Sequence, residues 1–206
     1  MKFRGLNIFL LLFLFCSFSS RASFVLLPME AGGQQNHLKA YGITYWALDK
    51  SYKVSWLLNY RGGSFLLPDA PEIRKECQIR GVTFEVLSDA ATNSILEDIS
   101  SPSQNMETVV LEKAPKVAVY TPKGKQPWDD AVTMVLTYAE IPYTEIYDEE
   151  VLSDQLLLYD WLHLHHEDFT GQYGRFYAGY KNAAWYIQDV KNNEAMAAKL
   201  GFKKVS

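Results

Sequence analysis

Cysteine is almost missing from this 206-residue chain: there are two, Cys16 and Cys77, and Cys16 lies in an apolar leader. No intramolecular disulfide is therefore available to the remainder, even in an oxidising compartment. Stability has to come from an ordinary packed core, which a chain of this length can build. Basic charge is scarce too. Lys+Arg number 20 against 24 Asp+Glu, a formal net charge of −4, so the electrostatic footprint of a nucleic-acid binder is missing. No internal repeat or low-complexity tract occurs, which excludes fibrous and solenoid architectures. Dinucleotide-type and Walker-type glycine spacings are absent as well. What is there is a globular composition, 48% hydrophobic, 14% aromatic and 21% charged, unlike that of disordered chains.

Lys2 and Arg4 precede an apolar run from Leu6 to Cys16, broken only by Asn7, and Ser17 to Ala22 follow. This pattern predicts a secretory signal peptide over residues 1–22, with Ser20-Arg21-Ala22 as the cleavage site and Ser23 as the new N-terminus. The rival reading, an uncleaved anchor, needs a longer span. Lipidation at Cys16 is disfavoured by Phe15, where a small residue is wanted. Removal of 1–22 takes away Lys2, Arg4 and Arg21 and no acid, leaving 17 basic against 24 acidic residues. The expectation is an exported protein, periplasmic, envelope-associated or secreted, with no stable membrane span after cleavage. Its acidity suggests neither a nucleic-acid nor an anionic-membrane partner.

Residues 23–206 alternate short apolar runs with amphipathic stretches, and this predicts an α/β domain with a doubly wound, mostly parallel sheet. Strands are expected at Phe24–Leu27, Val54–Leu58, Thr83–Leu87, Lys116–Thr121, Tyr143–Tyr147 and Leu156–Asp160, with a short extended piece at Ser64–Leu67. Helices are expected at Asn36–Leu48, 71–80 and Trp128–Tyr138, and the tail from Phe176 to Leu200 as one or two helices broken near Asn192-Asn193. The polar stretch at about 88–115 is the expected seam between two lobes, with one or two short helices. Cys77, in the 71–80 helix, is expected to be a structural thiol rather than a nucleophile.

In an open parallel sheet the ligand lies beyond the carboxyl ends of the strands. That rule selects Glu30–Gln35, Asn59–Gly63, Thr121–Gln126 and the run after Leu158. The last is Asp160-Trp-Leu-His-Leu-His-His-Glu-Asp168, which crowds His163, His165 and His166 beside Glu167 and Asp168. On a continuing strand His163 and His165 share a face, a spacing at which two imidazoles reach one divalent ion such as zinc while Asp168 completes the shell. The same His163, His165, His166 and Glu167 would serve equally as an acid/base relay near neutral pH, and a polar loop without chemistry is the third reading. Asn59, Arg61, Gly62, Gly63 and Asp160 are candidate ligand-binding residues, Arg61 through its fork and the glycines through backbone amides; tight turns needing positive φ explain the same glycines. Lys123-Gly-Lys125 fits an anion contact or a solvated basic turn. Tyr173, Phe176, Tyr177, Tyr180, Trp185 and Tyr186 would line a pocket or pack a helix.

Three segments together, Leu26-Leu-Pro-Met29 with Asn36-His-Leu-Lys-Ala-Tyr-Gly42, Trp56-Leu-Leu-Asn-Tyr-Arg-Gly-Gly-Ser-Phe65 and Asp160 through Gly174, resemble a family of exported bacterial proteins labelled "asparagine synthetase B". The resemblance spans the mature chain and implies a body like the class I glutamine amidotransferase fold (flavodoxin-like), with relatives that continue past Ser206 into a glycine-rich strand carrying a cysteine. A glutamine-dependent asparagine synthetase needs a processed N-terminal cysteine and a Ser-Gly-Gly-x-Asp-Ser loop. Here Lys2 follows Met1 and no such loop exists, so the motifs do not support that activity. Two functional readings stand side by side. One is an amidotransferase-like protein that binds a small polar or anionic ligand, with or without hydrolase or amidotransferase activity and with no nucleophile identified. The other is a non-enzymatic envelope or secreted module that holds a protein partner.

Overall fold

A computed structural model describes residues 22–121, 131–164 and 172–203. The chain forms two compact units, Met1–Ala114 with Thr137–Ile141, and Pro115–Leu136 with Pro142–Ser206. All of the predicted leader but its last residue, Ala22, lies outside the described residues.

In the first unit the order is β1 (Ala22–Leu27), α1 (His37–Asp49), β2 (Val54–Leu58), β3 (Phe65–Pro68), α2 (Pro71–Arg80), β4 (Glu85–Ser88), α3 (Asp89–Ile99) and β5 (Glu107–Leu111). The strands form one sheet ordered β4-β1-β3-β2-β5, and every neighbouring pair is antiparallel. Its first six elements follow the β-α-β-β-α-β order of a split βαβ, or ferredoxin-like, motif. α3 and β5 extend it. The helix ends follow the local sequence: Asn36 caps α1 by accepting from the Lys39 amide, Ser88 caps α3, and Pro71 opens α2, which Gly81 closes at φ +64.

Residues alternate between two faces along each strand, as the pleat requires. Val25, Leu27, Val54, Phe65 and Leu67 pack with Ala40, Ile43 and Ala47 of α1 and with Ile73 and Cys77 of α2. Leu26, Leu57 and Leu66 point the other way and meet Ile99 of α3. The sheet is thus covered on both sides. Thr137–Ile141 is tied to α1 by an ion pair of Lys39 with Glu140 at 2.5 Å and by Asn36 Nδ2 donating to the Tyr138 hydroxyl at 2.9 Å.

The second unit contains β6 (Val117–Tyr120), α4 (Ala131–Ala139, whose last turn belongs to the first unit), β7 (Tyr143–Ile146), α5 (Asp148–Leu152), β8 (Trp161–Leu164), α6 (Gln172–Tyr180) and α7 (Ala184–Lys199). Its three strands among the described residues are parallel, in the order β7-β6-β8.

This architecture corrects the expectation of one doubly wound, mostly parallel, flavodoxin-like sheet. The larger sheet is antiparallel and the parallel one has three strands among the described residues. The misreading has a physical cause: strands covered by helices on both faces become continuous apolar runs whichever way they run. The decisive feature is connection length. Only Asn59–Ser64 separates β2 from β3, too short for a parallel crossover, which takes a dozen residues or more. Two local expectations also shift. Leu156–Asp160 was expected as a strand; Gln155–Leu158 is a 3₁₀ turn entered through Asp154 at φ +61, with Leu157 84% exposed, and the strand starts at Trp161. The helical tail breaks at 181–183, while Asn192 and Asn193 lie inside α7. The polar stretch 88–115 holds α3 and β5. No described helix is long and apolar enough to cross a membrane.

Candidate functional site

In the first unit β1 and β2 run against β3 and β4, so the exits of the former pair meet the entries of the latter at one end of the sheet. Arg61 is the hub of that end. Its Nε donates to both oxygens of Glu30, at 2.9 and 2.8 Å, and Nη2 reaches Glu30 Oε1 at 2.6 Å. Nη1 and Nη2 donate to Glu85 at 2.9 and 2.7 Å. The Arg61 carbonyl accepts from the Met29 amide at 3.1 Å and from the Ser64 hydroxyl at 3.0 Å. Thus one residue joins the β1 exit, the β2–β3 turn and β4.

The turn itself is left-handed at four of five positions: Asn59 (φ 61), Arg61 (φ 45), Gly62 (φ 80) and Gly63 (φ 88). Gly62 is required by space as well as by φ, since a Cβ there would lie 2.5 Å from the Met29 carbonyl carbon and oxygen. Asn59 Nδ2 donates to the Asn105 carbonyl at 2.7 Å, and the Trp56 indole donates to the Gly63 carbonyl at 3.0 Å.

Arg61, Gly62, Gly63 and Asn59, read from sequence as anion contacts, are therefore brought together, but the Arg61 fork is already engaged by two carboxylates and the cluster carries net negative charge. An anion would have to displace one of them. Glu85 was missed because a single charge in a strand looks like a solvated position. Its hydrogen bonds from Arg61 hold its carboxyl below the usual range, and Glu85, then Glu30, raise the Arg61 guanidinium further. A depressed carboxyl pKa adds stability above the unfolded value of about 4.3, and that stability is lost as pH falls through the folded value. The side chains are about a third exposed, 31% for Arg61 and Glu30 and 42% for Glu85, so solvent screens them. Arg61→Met is expected to cost about 1–2 kcal/mol at pH 7, with the cost shrinking toward pH 3; urea unfolding across that range measures it.

Gln34, 5% exposed, anchors the same end. Its Nε2 donates to the carbonyls of Pro28 and Thr83, both at 3.1 Å, and its Oε1 accepts from the amides of Thr83 at 2.9 Å and Asn36 at 3.2 Å. His37 Nε2 meets the Met29 carbonyl at 3.1 Å. A depression of about 350 Å³ between α3 and β5, bordered by Ile99, Ser100, Met106 and Thr108, includes none of the candidate residues.

In the second unit the path from β6 to β7 goes to one side and the path from β7 to β8 returns past β6. The strand order therefore reverses between β6 and β8, the place where open α/β sheets bind ligands at their carboxyl ends. At that end Thr121 donates its amide to Ile146 at 2.9 Å, and the Tyr120 hydroxyl donates to Asp148 Oδ1 at 2.5 Å, with the Tyr120 and Tyr147 rings 5.1 Å apart. His163 sits in β8 one residue from its end, level with Val119 of β6, which is in turn level with Glu145 of β7. Asp160 lies at the opposite end: its Oδ2 accepts from the Lys116 amide at 2.9 Å, and its own amide donates to the Lys116 carbonyl at 2.9 Å. It fastens the entries of β6 and β8, away from the exits. His165, His166, Glu167 and Asp168 lie outside the described residues, as do Lys123 and Lys125. Among the described residues no group of three or more His, Cys, Asp or Glu side chains is placed to hold a metal ion.

Cys77 is buried in α2, and desolvation pushes its thiol up to about 12. A thiol so protonated is no nucleophile at neutral pH. Its reaction with a disulfide reagent at pH 8 is expected to be at least about 10³-fold slower in the folded chain than in denaturant.

Compared with known proteins, no family model, no curated protein and no solved structure matches the chain.

Proposed function

We propose that this is an exported protein that binds a small polar or anionic ligand beyond the carboxyl ends of β6 and β8. The observation that carries the reading is the reversal of strand order between those strands, with His163 near the end of β8 and His165, His166 and Glu167 following directly in sequence. Neutral imidazoles beside carboxylates suit a divalent ion such as zinc, with Asp168 as a further ligand. Without a metal, the same groups serve as proton donors and acceptors near neutral pH.

If the family resemblance extends to amide hydrolysis, Cys77 cannot be the nucleophile, and a water activated by a histidine or a bound metal takes its place. The experiment is calorimetric titration of zinc into the purified chain beside His163→Ala/His165→Ala. Saturable binding lost in the variant supports the metal form. Equal weak heats from both eliminate it and leave the metal-free ligand site, which titration with small dicarboxylates and amides then probes.

A second reading, a module that holds a partner, is favoured by one feature. Tyr177, Tyr180 and Trp185 of α6 and α7 cluster with ring centroids 5.6–6.3 Å apart and remain 38–49% exposed. Exposed aromatic clusters of this kind anchor interfaces.

A further inference from the structure

The two edges of the five-stranded sheet are built differently. β4 is four residues long, its pairing with β1 shifts register between Ala22 and Phe24, and its first side chain, Glu85, is held by Arg61. Short, irregular, charged edges resist joining another sheet. β5 is one residue longer and regular, and Glu107 at its start is its one charged residue. It pairs with β2 in unbroken register over five residues, from Val54 with Leu111 to Leu58 with Glu107. It has no proline and carries Val109-Val110-Leu111, with Val110 56% exposed. Among the described strands none lies on its outer side.

We propose that β5 is a self-association edge, at which two copies pair their β5 strands antiparallel about a two-fold axis and join their sheets into one of ten strands. The order of side chains selects the occupant. Residues 107–113 are Glu-Thr-Val-Val-Leu-Glu-Lys. An antiparallel pair centred on Val110 sets that residue against Val110 of the partner subunit. It also puts Val109 opposite Leu111 of the partner subunit, Thr108 opposite Glu112 of the partner subunit and, where pairing extends the strand two residues past Leu111, Glu107 opposite Lys113 of the partner subunit, each twice. An apolar pair sits on the axis and opposite charges close both ends, and each kind of cross-strand pair is stabilising. Centring on Val109 instead would set Glu107 against Leu111 of the partner subunit and lose both charge pairs. An extended peptide from another protein would use the same backbone groups, but it has no reason to repeat this self-complementary order.

The interface is small, so association is weak and depends on concentration. Sedimentation velocity of the purified full chain, taken from about 2 to 200 µM, is expected to show a shift from monomer to dimer mass. Val110→Lys places a natural edge guard on the axis and is expected to raise the midpoint concentration about tenfold or more, which urea unfolding will show is not a folding defect. Glu107→Lys is expected to weaken the dimer and the double exchange Glu107→Lys/Lys113→Glu to restore it, a pattern that neither misfolding nor contact through another surface would produce. A monomer at every concentration overturns the proposal. So does a dimer indifferent to both Val110→Lys and the charge exchange.

Discussion

Gln34→Leu is expected to lower the unfolding free energy by about 3 kcal/mol, because it strands four backbone groups at once at roughly 1 kcal/mol or a little less each. The carbonyls of Pro28 and Thr83 and the amides of Thr83 and Asn36 all bond to this one amide side chain. A leucine fills similar volume, so packing contributes little of the loss. Gln34→Glu separates the cause further. It keeps shape and the two accepted bonds but turns the donating end into a carboxylate facing two carbonyls. The folded state then favours the protonated acid, so the pKa of the introduced acid is raised on folding. Stability in that variant is present at low pH and is lost as pH rises above the unfolded value of about 4.3. Urea unfolding between pH 4 and 8 would show a penalty growing with pH for Gln34→Glu and flat for Gln34→Leu. A loss below about 1 kcal/mol in both would mean that water replaces the side chain readily.

The second large effect is expected at Gly62. At φ +80 any L side chain pays about 1–2 kcal/mol in backbone strain, and the added Cβ would lie 2.5 Å from the Met29 carbonyl and 2.6 Å from the Glu30 amide nitrogen. Backbone atoms cannot swing aside as a side-chain tip can, so the β1 exit must move and Glu30 moves with it, away from Arg61. Gly62→Ala is expected to cost about 3–4 kcal/mol in total, near the upper range for single substitutions. Gly81→Ala is the control, with φ +64 and no atom within 4 Å of the added Cβ, where only the conformational part, about 1 kcal/mol, should appear. Thermal or urea unfolding of the pair measures the difference. Equal costs would show that the loop at Gly62 relaxes freely.

Much of the local structure was legible from the sequence because burial and capping write themselves into short windows. Phe24–Leu27, Val54–Leu58 and Val117–Tyr120 are apolar runs stopped by loops, and the helix at 71–80 is bracketed by Pro71 and Gly81. Direction is not written that way. Leu26 and Leu27 look alike whether the neighbouring strand runs up or down, and only the six-residue gap before β3 carried the information. Leu156-Leu157-Leu158 misled for the converse reason, since an apolar triplet at the surface has no local mark that separates it from a strand. At the sheet end Arg61 and the glycines stood out as residue types, whereas Glu85 matters through a partner 24 residues away and Gln34 because it joins nearby Pro28 and Asn36 to Thr83, 49 residues away. No periodicity reports a pairing over that distance.

The position of β1 inside its sheet, paired on both sides, bears on the order in which the chain becomes a solid object. β1 is the first described strand, yet its two neighbours are β3 and β4, which end at Pro68 and Ser88. A polypeptide emerging N-terminus first therefore completes the sheet only at Leu111 and cannot flank β1 on both sides until residue 88 is out. Until then the leading strand has an open flank, and the contacts that close it join residues far apart in sequence, which makes closure slow. During that interval the chain offers Phe24–Leu27 to whatever binds exposed apolar segments.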